Sequence, residues 1–599
     1  MRIDRSMNLL KFSAISALLA CAGATSQAMA EDISLAVIEI EGTPYEVQIG
    51  YSWLGDGASS LLGVINTIDT LAYDREFSGL VIRLKDSALG ATQVEEIGEA
   101  IARYQRTGKK VHVFSEAYNT NDLLLGALAD EIILQAGGYV SFPGLHMEEM
   151  YMGDTLSWIG VEAQFLQVGD YKGANETMTR SQPSPSWDEN ISGLLDGMYA
   201  NIRAIIMEGR GLSESELDDA MKVVWAANGQ EAIEADIIDA EVDLPDLLSY
   251  LEEAYDADIE WVIDPYAVPD GKIIRIESPM DIFNSFEVED APVQVTQPTI
   301  AVLHINGTII DGDSTAGGLF GGGTAVGSRT IRNTIEMIRN EDLIEGVVVR
   351  VNSPGGSAIA SEVMWQGLNR LSHEKPVWVS VGGMAASGGY YVLTAGERVF
   401  VNPSSVVGSI GVVGGKYAMG GLYEKAKLNI VERSRGPMGG LNSASQPWDP
   451  SQLRIMHNHM KKTYDLFTSR VESGRDGIDL SKTAEGRLFV GSDAIELNMA
   501  DEIGSLDDAI NGLAGELEMG DFEIVHLPKP PSFDDMIRET FGQFMQSPAQ
   551  AMGVGQLEVT LRSLLGDHRY SAIVESLNGL ALMRDEPVLL VNPRAIYIK

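Results

Sequence analysis

Four blocks of this 599-residue chain occur twice, in the same order and about 267 positions apart, and that repetition constrains the fold more than any other feature. AVIEIEGT (Ala36 to Thr43) answers AVLHINGT (Ala301 to Thr308), and GLVIRLKDSALG (Gly79 to Gly90) answers GVVVRVNSPGGS (Gly346 to Ser357). LLLGALADEIIL (Leu123 to Leu134) lies opposite YYVLTAGERVFV (Tyr390 to Val401), and FLQVGDYKGAN (Phe165 to Asn175) opposite ERSRGPMGGLN (Glu432 to Asn442). A duplicated and diverged unit is the reading that accounts for all four.

The length suits two cores plus extensions. Within each half, short Val/Ile/Leu runs alternate with amphipathic stretches such as Gln93 to Gln105 and Ser361 to Leu371. That alternation predicts an α/β layer fold with buried, mostly parallel strands. The expected organisation is a signal segment at 1–30, a first repeat at 31–262, a Pro-punctuated linker at 263–297, a second repeat at 298–523, and an extension at 524–599 opened by Leu527-Pro528-Lys529-Pro530-Pro531.

Composition is that of a globular protein, with 45% apolar and 22% charged residues. Asp and Glu outnumber Lys and Arg by 86 to 43, a formal charge of −43 that repels phosphate backbones and argues against nucleic acid as a partner.

At the N-terminus, Arg2, Arg5 and Lys11 precede an apolar run from Phe12 to Ala24, followed by Ala28-Met29-Ala30. The pattern is that of an export signal cleaved after Ala30, and the run is shorter than the roughly 20 residues of a membrane span. Leu18-Leu19-Ala20-Cys21 offers a rival reading in which Cys21, the single cysteine, carries a lipid anchor. Either outcome predicts an exported protein of a bacterial periplasm or envelope, with no intramolecular disulfide. No later stretch reads as a transmembrane helix.

After the apolar strand Val347 to Val351 comes Asn352-Ser353-Pro354-Gly355-Gly356-Ser357, a turn whose bare backbone N–H groups could face a ligand as an oxyanion hole does. After the strand Val377 to Val381 comes Gly382-Gly383-Met384-Ala385-Ala386-Ser387-Gly388-Gly389-Tyr390-Tyr391, where small neighbours would expose a serine hydroxyl at a helix start. Taken alone, Ser387 could equally be a helix cap, and Asn402 to Gly411 could shape a groove or only turn the chain. The histidines offer no triad or metal pattern, so neither a histidine base, a metal nor another cofactor is expected.

The repeat offers another base. Tyr171-Lys172-Gly173-Ala174 aligns with Met438-Gly439-Gly440-Leu441, Thr120 falls opposite Ser387, and Ser87-Ala88-Leu89 falls opposite Pro354-Gly355-Gly356. One half keeps a lysine and the other keeps the serine and glycines, which points to one site assembled from both.

These segments, with Gly408-Ser409-Ile410-Gly411 and Gly486-Arg487-Leu488-Phe489-Val490-Gly491, resemble the signal peptide peptidase A family in its long tandem form, over about residues 33 to 510. The resemblance implies two tandem ClpP/crotonase-like repeats, Ser387 as nucleophile and Lys172 as general base. It further implies membrane-associated homo-oligomers, expected to be tetramers, that degrade cleaved signal peptides. Backbone N–H groups of Gly388 and of Gly355 or Gly356 would hold the oxyanion, with the choice within that pair left open. Gly173 departs from the serine common after the family's lysine, and the family's long N-terminal membrane anchor is not evident.

Two local features compete with this reading. Asp170 and Glu176 flank Lys172, and on a helix Glu176 at i+4 would pair with it and keep it charged. Ser357, beside the glycines, is an alternative nucleophile. At the level of function, the alternatives are a silent envelope scaffold and a crotonase-type acyl-CoA enzyme.

Overall fold

The computed structural model describes residues 32–44, 46, 60–266, 295–315 and 325–529, with the backbone of 589–591. The expected export signal, with Cys21, and most of the expected linker and C-terminal extension lie outside these residues.

Strands of the first half are β1 (Ile33–Glu41), β2 (Phe77–Lys85), β3 (Lys110–Tyr118), β4 (Glu131–Val140), β5 (Glu162–Val168), β6 (Ala227–Asn228), β7 (Ala240–Val242) and β8 (Ile259–Ile263). Those of the second are β9 (Thr299–Asn306), β10 (Thr308–Ile310), β11 (Ala325–Gly327), β12 (Ile344–Ser353), β13 (Gly355–Ser357), β14 (Val377–Ala386), β15 (Arg398–Val401), β16 (Val406–Gly408), β17 (Val412–Ala418), β18 (Leu488–Val490), β19 (Glu502–Ile503) and β20 (Glu523–Leu527). A last strand, β21 (Leu589–Val591), comes from the C-terminal segment.

The first half builds a sheet in the order β6-β4-β3-β2-β1-β8, and the second repeats it as β18-β16-β14-β12-β9-β20. Strands β2, β3 and β4 begin at residues 77, 110 and 131, and β12, β14 and β15 at 344, 377 and 398, so the offset is 267 each time. In both sheets the central pairings are parallel. Helices cover both faces, so the central strands must be apolar on both sides, as the fully buried Val347, Val348, Val349 and Val351 are. This is the expected tandem of ClpP/crotonase-like repeats.

A third sheet, ordered β11-β10-β13-β21-β17-β5, joins the halves. Here β5 of the first half runs antiparallel along β17 of the second, from Val168 opposite Val412 to Glu162 opposite Ala418. The block that answers β5 in the repeat differs from it in structure. Residues 428–435 form no strand, and Leu428, Ile430 and Val431 are exposed. The reason is topological, since β5 is completed by the other half while its counterpart has no such partner strand among the described residues.

The helix Pro185–Arg210 carries the first half onto the second. Ser184 Oγ accepts the Trp187 N–H at its start, Pro185 occupies the first turn, and Gly211 ends it with φ 64°. Its Trp187, Ile191, Leu194 and Met198 pack against Ala386, Val406, Leu488 and Val490. Arg350, in the middle of β12, is buried between the halves. Its guanidinium donates to Glu96 at 3.0 Å and to Ser380 Oγ at 2.9 Å, and it also pairs with Glu46. Asn402 donates to the same Glu96 at 2.8 Å. The charge is tolerated because carboxylates of the first half surround it.

Candidate active site

Ser387 sits where β14 ends and the helix Gly388–Leu393 begins. Its backbone has φ 54° and ψ −110°, a region that L residues other than glycine rarely enter. A strain of about 1–3 kcal/mol is typical of such a position. Surrounding contacts hold the turn. Ser387 N–H donates to the Gly408 carbonyl at 2.8 Å, and its own carbonyl accepts from Tyr391 N–H at 2.8 Å. Gly389 is required next to it, because a Cβ there would lie 2.7 Å from the Ser353 carbonyl oxygen. The local sequence Ala-Ser-Gly-Gly is thus what lets a serine occupy this bend.

Lys172 reaches Ser387 from the other half. β5 ends at Val168, Gly169 turns the chain with φ 112°, and Lys172 precedes a single 3-10 turn, Gly173–Asn175. The segment is pinned to the second half by Tyr171 N–H donating to the Glu485 carbonyl at 2.8 Å and by Arg487 lying 3.9 Å from the Tyr171 ring centre. A Cβ on Gly486 would come within 2.5 Å of Lys172 N, so only glycine permits this approach. Gly173 has the same character, since a Cβ there would meet the Trp187 ring at 2.4 Å. That close packing is a physical reason for glycine where the family commonly has serine.

The Lys172 side chain is 1% exposed, and its Nζ lies 2.8 Å from Ser387 Oγ. The same Nζ lies 2.9 Å from the Ser409 carbonyl oxygen and 2.7 Å from Ser409 Oγ. Burial without a compensating anion holds the ammonium pKa well below its ordinary value of 10.5. The anticipated contact with Glu176 does not form. Glu176 begins its helix after the 3-10 turn, and its carboxylate instead accepts from Ser184 N–H at 2.7 Å and faces Arg180. Asp170 is exposed and likewise makes no ion pair with Lys172 among the described residues.

Gly355 and Gly356 lie on β13, against which the helix starting at Gly388 packs. Gly355 has φ 95°, and its N–H donates to Ser353 Oγ at 3.1 Å. A Cβ on Gly356 would lie 1.9 Å from the Ile309 carbonyl oxygen. Ser357, the alternative nucleophile, caps the following helix by accepting the Ala360 N–H at 3.2 Å. Among the described residues, His304 contacts His526 at 2.9 Å, and His457 and His459 are exposed on the helix Pro450–Gly474.

Ser409 was not anticipated as a site residue. It adopts φ 55° and is 3% exposed, and its place in Gly408-Ser409-Ile410-Gly411 was the one signal available. No spacing rule on a linear chain relates position 409 to position 172.

The equivalent place in the first half is built differently. Thr120 replaces the serine, and Ser87 hydrogen-bonds Asp122, whose carboxyl burial pushes up to about 6. The edge answering β13 is closed by side chains, with Asn121 donating to the Leu89 carbonyl at 2.7 Å and Gln93 accepting the Gly90 N–H at 2.9 Å. A cavity of about 870 Å³ opens there, lined by Ser87, Leu89, Thr120, Asn121 and Arg350 among others.

Comparison with known proteins bears on the whole arrangement. The model of peptidase family S49 matches residues 103–258 and 369–519, one stretch in each repeat. Protease 4 of Salmonella typhi is 27% identical over 496 residues, covering 80% of this chain and 76% of that protein. Protease 4 of Haemophilus influenzae is 28% identical over 76% of this chain and 72% of its own length. The chloroplastic serine protease SPPA of Arabidopsis thaliana is 25% identical over 73% of this chain and 63% of its own length.

Proposed function

The chain belongs to peptidase family S49 and is a serine peptidase, and from that premise we propose that Ser387 is its nucleophile and Lys172 its general base. One observation carries this assignment: the buried Lys172 Nζ lies 2.8 Å from Ser387 Oγ with no carboxylate beside it among the described residues. An unperturbed lysine titrates near 10.4 and is a poor base at neutral pH, whereas a desolvated one is available. A neutral amine has two N–H donors and one lone pair. Ser409 supplies two acceptors at 2.9 and 2.7 Å, which aims the lone pair at the Ser387 hydroxyl.

In the reaction, Lys172 takes the Ser387 proton as Oγ attacks the substrate carbonyl carbon. The negative charge on the former carbonyl oxygen is held by backbone N–H groups of Gly388 and of Gly355 or Gly356. Gly355 N–H already donates to Ser353 Oγ, which favours Gly356. Protonated Lys172 then gives its proton to the leaving amine as the C–N bond breaks, leaving an ester on Ser387. Water, deprotonated by the same lysine, hydrolyses that ester and restores both residues.

For substrates, the reading favours unstructured apolar peptides, above all cleaved signal peptides, in keeping with the family resemblance. An exported enzyme at the cell membrane would meet them there; among the described residues no helix is long and apolar enough to cross a membrane. We place the enzyme in a homo-oligomer, expected to be a tetramer. The exposed Leu428, Ile430 and Val431 stand where the repeat would have its own β5, and the first half of a second copy could pair with them. Light scattering that finds a monomer at working concentration would contradict this.

The dyad is tested by hydrolysis of an unstructured apolar peptide by Lys172→Ala and Ser387→Ala, each checked for fold and assembly. Loss of about 10⁴-fold or more in kcat from either supports it. Activity surviving in Lys172→Ala would place the base elsewhere.

A further inference from the structure

Among the buried residues of the helix Pro185–Arg210, Asn190 alone is polar, set in a stripe with Trp187, Ile191 and Leu194. Its amide grips β18 at both groups of one residue. Nδ2 donates to the Leu488 carbonyl at 3.0 Å, and Oδ1 accepts the Leu488 N–H at 3.0 Å. β18 is the last strand of its sheet, so a single side chain of the first half does here what a neighbouring strand would do.

The gripped strand leads directly to the catalytic pair. Leu488 stands opposite Gly408, whose carbonyl accepts the Ser387 N–H at 2.8 Å. The carbonyl of the preceding Arg487 accepts the Ser409 N–H, and Gly486 N–H donates to the Ile410 carbonyl at 2.8 Å. Ser409 in turn holds the Lys172 amine. The repeat supplies a comparison, because the helix Pro450–Gly474 of the second half also opens with Pro-Ser. Counted from that proline, the counterpart of Asn190 is Ile455, which is exposed. The asparagine thus stands on the copy of the helix that meets β18.

We propose that Asn190 is a positioning residue for the dyad: by fixing Leu488 it sets where Gly408 and Ser409 stand, and through them the approach of Lys172 to Ser387. This rests on the assignment of Ser387 and Lys172 as the site. Asn201, three turns along the same helix, provides a control. It donates to the Pro403 carbonyl at 2.8 Å and accepts from Ser492 Oγ at 3.3 Å, so it also ties the halves together but bonds neither β18 nor Ser409.

The test measures hydrolysis of an unstructured apolar peptide, and the thermal midpoint, for Asn190→Ala, Asn201→Ala, Ser409→Gly and the double variant Asn190→Ala/Ser409→Gly. Asn190→Ala should lower kcat about tenfold with KM unchanged, a shift smaller than the roughly 1 Å that costs 100-fold. Asn201→Ala should lower the midpoint and keep kcat. In the Ser409→Gly background, Asn190→Ala should lower kcat by less than about twofold, because residues acting through one contact are not additive. Should Asn190→Ala not fold, Asn190→Asp enters the same cycle with the same expectation, since it keeps the size and the acceptor but loses the donor to the Leu488 carbonyl. Full additivity, an equal loss of kcat from Asn190→Ala and Asn201→Ala, or unchanged kcat in a folded Asn190 variant would each overturn the proposal while Ser387→Ala stays inactive. Turnover surviving in Ser387→Ala would refute the dyad, and this inference with it.

Discussion

Lys172 Nζ and Ser387 Oγ lie 2.8 Å apart although 215 residues separate them, and each comes from a different copy of one repeated fold. The contact exists because β5 of the first half is completed by β17 of the second, which carries the lysine across the boundary. Either half alone would hold an incomplete site.

The lysine should set the low-pH limb of activity. Its folded-state pKa is depressed by burial, so kcat/KM is expected to rise with pH through a single ionisation well below 10.5 and then level off. A limb near 10 would show that the lysine is solvated in the working enzyme.

The same burial links Lys172 to stability. Between the depressed folded value and the unfolded value the unfolded chain binds one more proton, so stability contributed through this group increases as pH rises through that window. Replacing Lys172 by Met should flatten the stability–pH curve there by up to about 1.4 kcal/mol per pH unit. Denaturant midpoints for the two proteins across that window are the check, and identical slopes would refute the linkage.

Ser409 should act through Lys172 and not on the substrate. Ser409→Gly keeps a backbone of φ 55° and removes the hydroxyl acceptor. We expect kcat to fall roughly 10- to 100-fold with KM unchanged. The acid limb should move to lower pH, because the charged amine loses a hydrogen-bond partner. A change confined to KM would mean that Ser409 contacts the substrate instead.

Gly486 is a spacing residue for the lysine segment. With φ 91° and a would-be Cβ 2.5 Å from Lys172 N, Gly486→Ala must push that segment away from Ser387. A displacement of about 1 Å is enough to lower kcat on the order of 100-fold. Unchanged turnover in a folded Gly486→Ala protein would show that the two segments do not approach as described.

The strained turn at Ser387 predicts a trade between stability and activity. Ser387→Gly and Ser387→Ala both remove the hydroxyl, but only glycine is at ease with φ 54°. The glycine variant should be the more stable by about 1 kcal/mol, read as a higher thermal midpoint. Equal midpoints would mean that the turn carries no strain in solution.

Much of the candidate site was legible in the chain because duplication left a difference to read. The offset of 267 placed Lys172 opposite Gly439 and Ser387 opposite Thr120, so the two halves could be seen to keep complementary residues. The competing pair with Glu176 fails for a local reason. The i+4 rule assumes a continuous helix, and the 3-10 turn at Gly173–Asn175 intervenes. Ser409 and Gly486 stood inside quoted segments with no role attached to them, and the capping of the first-half edge by Asn121 and Gln93 carried no sequence pattern, since each matters only for what lies against it.

Periodicity and repetition are local properties of a chain, and by themselves they determined the α/β class, the parallel strands, the two copies and the residues that differ between them. The third sheet, the burial that lowers the Lys172 pKa and the seating of Leu589–Val591 beside Gly355 and Gly356 were decided only by tertiary structure. Hydrogen bonds between strands, close glycine contacts and desolvation depend on which distant segments meet, and spacing along a sequence carries no record of that.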